Sequence, residues 1–104
     1  MRIEFKERVR KELKKMSPDI RNMILSYLND IASLENPRSR GKSLTANYSG
    51  YWRYRIGDYR IICEIIDAKL VIEVVKVGHR RVVYEPTNTD GRTYTLEEIK
   101  KELL

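Results

Sequence analysis

The sequence predicts an α+β fold, with a short N-terminal strand, two helices packed on a three- to four-stranded antiparallel sheet, and a C-terminal helix. Two helix-period patterns precede residue 36. Alternating runs separated by tight turns fill residues 51–76, and a capping-box pattern opens the last ten residues.

Met1–Phe5 reads as a short strand. Val9, Leu13 and Met16 then recur at helical spacing with Lys and Arg between them. In the next segment Ser17 is a cap, Pro18 takes the first helical position and Asp19 sits at the positive end of the dipole. Ile20, Ile24, Tyr27, Leu28 and Ile31 form its buried stripe, and Asn36-Pro37 ends it. Residues 37–50 are a polar, basic connection, pinned to the core by Leu44. Arg38, Arg40 and Lys42 alternate along it, either as part of a phosphate track or as a solvated loop.

Gly57-Asp58 separates two alternating runs. Gly at the first central position suits a type II′ turn, which pairs Ile56 with Tyr59 and sets Arg55 opposite Arg60. Arg53 lies two residues along on the same face. Trp52, Tyr54, Ile56, Tyr59, Ile61, Cys63 and Ile65 line the other face, with enough apolar surface to be the core side. An Asp67-Ala68 turn brings Leu70, Ile72 and Val74 opposite Ile65, Cys63 and Ile61, giving a third antiparallel strand. Gly78 breaks the next run, which resumes as a short segment ending in Tyr84.

Like charges facing each other across strands are destabilising. Three guanidiniums this close imply an anionic partner, because the planar fork of Arg matches phosphate oxygens in pairs. The alternative is a solvated sheet face with snorkelling stems. Charge distribution favours the anion: residues 1–84 carry 18 Lys and Arg against 10 Asp and Glu, whereas residues 85–104 carry 3 against 5. A basic body with an acidic tail fits a polyanionic partner such as nucleic acid.

At 104 residues the chain holds one core and no second catalytic domain. The single cysteine, Cys63, excludes an intrachain disulfide and falls on an apolar face, as expected of a small buried hydrophobe in a reducing compartment. One histidine excludes a His-based metal cluster, so no metal or cofactor is implied. No apolar run reaches the ~18 residues of a membrane span and the start has no hydrophobic signal region. The expected compartment is the cytoplasm.

Leu-Glu-Asn-Pro-Arg, Gly-Lys-Ser-Leu-Thr, the hairpin from Tyr51 to Ile65 and Val-Gly-His-Arg-Arg-Val-Val-Tyr occur here in that order. Together they resemble the RelE/ParE toxin superfamily, and most closely its RelE branch, over residues 1 to about 84. That resemblance implies a ribosome-dependent messenger RNA endonuclease that cuts in the A site without metal, among ribosomal RNA, and is neutralised by a cognate antitoxin. It also implies that the basic residues of the catalytic strands fall on Arg53, Arg55 and Arg60, the basic residue after the glycine on Arg80, and the C-terminal tyrosine on Tyr84.

Two family positions often occupied by lysine are arginine here, and arginine stays protonated, so neither serves as a general base. His79 stands where several members have a basic residue, and Arg80–Tyr84 is shorter than in some relatives. Within the implied chemistry Arg55, Arg60 and Arg80 are expected to stabilise the phosphorane, and His79 and Tyr84 are the candidates for proton transfer. Arg38, Arg40, Lys42, Arg53 and Arg81 are the expected RNA contacts. Packing is the expected role of Trp52 and Tyr54.

Residues 85–104 form an acidic extension to the toxin domain of residues 1–84. Thr95-Leu-Glu-Glu98 is a capping box, Leu96, Ile99 and Leu103 form one stripe, and the segment from Asp90 resembles the closing segment of Phd- or RelB-type antitoxins. Either this tail covers the basic face, of its own domain or through self-association of a second copy, or it is a helix completing the core. Two other functions remain open: a ParE-like inhibitor of DNA gyrase, and a non-catalytic module that binds an antitoxin.

Overall fold

The computed structural model describes residues 1–80 and 91–104. Its elements are β1 (Arg2–Lys6), α1 (Glu7–Lys15), α2 (Pro18–Ser33), β2 (Lys42–Ser43), β3 (Trp52–Ile56), β4 (Tyr59–Ile66), β5 (Val71–His79), β6 (Thr93–Thr95) and α3 (Leu96–Leu103). Among the described residues six strands make one sheet in the order β2-β3-β4-β5-β1-β6, an α+β architecture. Three to four antiparallel strands were expected. The sheet is wider because β1 pairs in parallel with β5, Ile3 beside Ile72 and Phe5 beside Val74, and β6 then pairs antiparallel with β1.

The helices form for the reasons their sequences give. Ser17 Oγ accepts from the Ile20 amide at 3.4 Å and Pro18 starts α2, which buries Ile24, Leu25, Leu28 and Ile31. Ile20 and Tyr27 lie at the margin of that stripe. Helix α1 buries Val9 and Leu13 and ends in Lys14 and Lys15. Arg21 reaches back to donate to the carbonyls of Leu13, which already accepts from the Met16 amide, and Met16, at the end of α1.

The β3–β4 hairpin has the register that its turn dictates: Ile56 faces Tyr59 and Arg55 faces Arg60. Gly57 has φ +56° while Asp58 does not enter positive φ, which is the type II′ pattern. The β4–β5 connection departs from the expected Asp67-Ala68 turn. Asp67–Lys69 form a 3-10 turn and Leu70 closes it in the left-handed region at φ 54°, so Leu70 is 65% exposed and does not face Ile65. Ile65 pairs instead with Ile72 and Cys63 with Val74, a slip of two residues that preserves the core face. A bulge beside Ile62 and Cys63 then leaves Val75 as the extra residue, so Ile61 pairs with Val77.

The C-terminal segment belongs to the same core. Thr95 Oγ1 accepts from the Glu98 amide at 3.2 Å and the Glu98 carboxylate accepts from the Thr95 amide at 3.1 Å, completing the capping box. Leu96 and Ile99 join the buried cluster formed by β1, the helices and the sheet. The expectation that this tail covers the basic face of its own domain is corrected for residues 91–104. They occupy the β1 edge, with β5 and β1 between them and the hairpin, because that edge presents backbone groups that β6 satisfies and an apolar margin that α3 buries. Polar contacts hold the segment: Arg10 donates to both Glu7 and Glu102, Arg92 pairs with Glu98 at 2.8 Å, and the guanidiniums of Arg10 and Arg92 lie 5.2 and 4.4 Å from the Tyr94 ring centre.

Ile99 is 0% exposed, so Ile99→Ala is expected to cost about 2–5 kcal/mol of stability, measured as a lower denaturant midpoint at unchanged slope. The Arg10 guanidinium, and after it the Tyr94 hydroxyl, hold the Glu7 carboxyl down at about 2 from an ordinary 4.5. A carboxyl lowered in the folded state contributes stability that is complete above 4.5 and lost as pH falls from there through 2. Calorimetric melting between pH 5 and pH 2 should therefore show a steeper loss in the unaltered protein than in Glu7→Gln.

Candidate functional site

Residues paired across antiparallel strands share a face, so the register draws the outer surface of the sheet row by row. Lys42 faces Arg53, Arg53 faces Ile62 and Ile62 faces Lys76. In the neighbouring row Arg55 faces Arg60, which faces Gly78, a residue with no side chain to fill the space beside that guanidinium. The helices lie against the other face, where Tyr54, Ile61 and Cys63 are buried.

Arg53, Arg55 and Arg60 take part in none of the ion pairs among the described residues. Arg60 Nε is buried and has no hydrogen-bond partner. Arg21 Nε, on the helix side, is the other such atom among the described residues; a buried donor left unmade costs about 1–3 kcal/mol and more when charged.

The loop before β3 is fastened from beneath. The Tyr54 hydroxyl donates to the Pro37 carbonyl at 2.7 Å and Trp52 Nε1 donates to the Arg40 carbonyl at 2.8 Å. Gly41 passes so close that a Cβ there would meet the Arg53 carbonyl and lie 2.6 Å from Trp52 Nε1, and its φ is +82°. These three contacts put Lys42 beside Arg53. They also give Trp52 and Tyr54 packing and anchoring roles.

Of the remaining expected site residues that are described, Arg38, Arg40 and His79 are engaged elsewhere and Arg80 is tied to the hairpin tip. Arg38 is held by Asp67 through two hydrogen bonds of 2.9 Å, an exposed pair that lowers the aspartate pKa and raises that of the guanidinium. Arg40 lies 5.9 Å from the Tyr27 ring centre on the helix side. His79 pairs with Tyr59, so it takes the helix-side parity, and its ring meets Tyr59 edge-on at 5.7 Å. Arg80 sits at the hairpin tip, where its amide donates to the Asp58 carbonyl and its Nε is 3.7 Å from the Asp58 carboxylate. Arg81 and Tyr84 lie outside the described residues.

Lys76 is the cation on this face that alternation missed. Counting by twos from Ile72 and Val74 puts residue 76 inside, but the bulge at Val75 turns Lys76 outward and Val77 inward. A lysine at a core parity followed by a valine at a surface parity was the available signal.

Two ionisable groups beneath the face are silenced by burial. Desolvation pushes the Cys63 thiol and the Tyr54 phenol upward, so neither supplies a nucleophile or proton carrier near neutrality. Among the described residues no group of three or more His, Cys, Asp or Glu is placed to hold a metal, and no helix is long and apolar enough to cross a membrane. The face offers fixed positive charge, which stabilises an anion without a proton being moved.

A strand-helix-helix-sheet domain of this kind is the fold of solved toxins from bacteria and an archaeon. The family model for the ParE toxin of type II toxin–antitoxin systems matches residues 3–84, and the chain belongs to that family, within the RelE/ParE superfamily. It is 32% identical over 79 residues to the mRNA interferase toxin RelE of Escherichia coli, covering 75% of this chain and 81% of that one. Among solved structures, the toxin–antitoxin complex RelBE2 from Mycobacterium tuberculosis matches with a TM-score of 0.69 and 27% identity, over 75% of this chain and 95% of that one. The RelB–RelE complex from Methanococcus jannaschii matches with a TM-score of 0.55 and 28% identity, over 74% and 90%. The protein is a type II toxin.

Gly41→Ala is expected to cost at least about 1–2 kcal/mol from backbone strain alone, with the overlap on Arg53 added. Its thermal midpoint should fall, and the amide resonances of Lys42 and Arg53 should shift more than those of β5.

Proposed function

We propose that the toxin is an endoribonuclease that cleaves messenger RNA in the ribosomal A site by attack of the 2′-hydroxyl on the adjacent phosphate. The observation that carries this reading is the group Arg53, Arg55 and Arg60, on one face without an acidic partner among the described residues and with the Arg60 Nε hydrogen unclaimed. The relatives named as mRNA interferases support it.

Arg55 and Arg60 meet the phosphate oxygens as the five-coordinate phosphorane gains charge, and Arg53 holds the neighbouring phosphate. Arg80 adds charge from the hairpin tip once its 3.7 Å contact with Asp58 is exchanged for RNA. His79 lies on the opposite face, which leaves Tyr84, three and four residues after Arg81 and Arg80 in the sequence, as the proton-transfer group in this scheme. Such a protein works in the cytoplasm and is checked by a cognate antitoxin that competes for the same cations. The RelBE2 and RelB–RelE structures named above are toxin–antitoxin complexes.

The match to a family described by its ParE member favours a second reading, inhibition of DNA gyrase. Primer extension on translated messenger RNA after induction separates the two. Cuts that weaken by about 10²–10³ in Arg60→Ala support the nuclease, a loss of the size seen when one transition-state donor is removed. Growth arrest with intact transcripts and DNA breaks supports the gyrase reading.

A further inference from the structure

The outer face of the sheet has a sharp charge boundary. Lys42, Arg53 and Lys76 share one row with Ile62, and Arg55 and Arg60 share the next. On the other side of the Ile62 row, Glu64 faces Glu73 and Glu73 lies beside Glu4. Successive same-face rows are about 7 Å apart, and neighbouring strands about 4.8 Å. Cations and carboxylates are thus separated by one row spacing.

The two sets are differently compensated. Glu73 is paired with Lys6 at 3.2 Å and Glu4 with Arg2 at 2.9 Å, whereas Glu64 takes part in no ion pair among the described residues. Neither Lys42 nor Lys76 takes part in an ion pair among the described residues. Like-charged rows held at this density are unfavourable without a counterion, and among the described residues the basic rows have none.

The bulge is what puts Lys76 there. Without the extra residue Val75, strict alternation would direct Lys76 into the core and Val77 to solvent. Ile62, between Arg53 and Lys76 in the row, is only 4% exposed, so the row carries a cation on each side of a buried apolar position.

We infer that Lys76, with Lys42, extends the arginine site into a track for one RNA strand running across the β-strands, and that the Glu64–Glu73–Glu4 row closes the track on one side. This rests on the nuclease reading for the identity of the polyanion and adds the path it takes. Lys76 lies two strand spacings, about 10 Å, from Arg53, which places it at a phosphate beyond the one Arg53 holds.

The test uses the full chain and a labelled single-stranded 2′-O-methyl RNA oligonucleotide, which lacks the attacking hydroxyl and stays intact. Anisotropy titrations between 50 and 200 mM salt give the dependence of log affinity on log salt, whose slope counts phosphate contacts at about 0.7 each for a single strand. Lys76→Ala and Lys76→Gln should each flatten the slope by about 0.7, while Lys69→Ala, an equal loss of charge in the β4–β5 turn, leaves it unchanged. Glu64→Lys should steepen it and tighten binding. Identical slopes for the Lys76 and Lys69 variants, or no binding by the unaltered protein at 50 mM salt, would overturn the track. Primer extension reports on the nuclease separately: cutting with a Lys76→Ala slope like that of Lys69→Ala sinks the track alone, and a flattened slope without cutting sinks the nuclease alone.

Discussion

The pairing of Ile56 with Tyr59 across the Gly57-Asp58 turn decides most of the arrangement of this molecule's open face. A two-residue turn allows one register, and a register assigns every side chain of both strands to a face. With Tyr54, Ile61 and Cys63 committed to the core by their burial, Arg53, Arg55 and Arg60 have only the open face to occupy. The hydrophobic effect thus works against electrostatics. Burying the apolar face holds the guanidiniums side by side although they repel, which is the arrangement a binding site for a polyanion needs before the ligand arrives.

Other parts of the fold support that hairpin from its two flanks. On one flank, Tyr54 and Trp52 reach under the preceding loop to grip backbone carbonyls, and Gly41 permits the close approach, so that a two-residue strand brings Lys42 alongside Arg53. On the other, β5 joins β4 to β1, and β6 with α3 closes the far edge. The described C-terminal segment is therefore a part of the core rather than a cover on the cations, and its acidic residues Glu98 and Glu102 are matched by Arg92 and Arg10 instead of by the hairpin. Residue chemistry tracks position here: Arg10, Arg38 and Arg92, which fasten the fold, have carboxylate partners, and Arg53, Arg55 and Arg60 have none among the described residues.

Much of this was legible in the sequence because it is local. The Gly-Asp turn, the Ser-Pro-Asp helix start and the Thr-Leu-Glu-Glu capping box each place their partners within a few residues, and each has the predicted geometry. Long-range choices were not legible. Ile3 and Phe5 declare a strand but not that its neighbour is β5, some seventy residues on, nor that the pairing is parallel. The Arg38–Asp67 pair spans 29 residues, and nothing local says that this arginine is neutralised while Arg53 is not. Lys76 was missed for a different reason. A single inserted residue reverses parity for the rest of a strand, and alternation counted from Ile72 carries no record of it unless the misfit of Lys76 and Val77 is noticed.

If the Arg60 guanidinium is held ready for an anion, the hydrogen on its Nε is the most direct witness. Side-chain Nε–H resonances of the full chain, recorded while inorganic phosphate and then the uncleavable RNA strand are added, should show the Arg60 signal moving furthest and becoming protected from exchange, with Arg53 and Arg55 moving less and Arg38 unmoved. An Arg60 signal that stays in place while Arg38 responds would contradict the assignment of this face as the anion site.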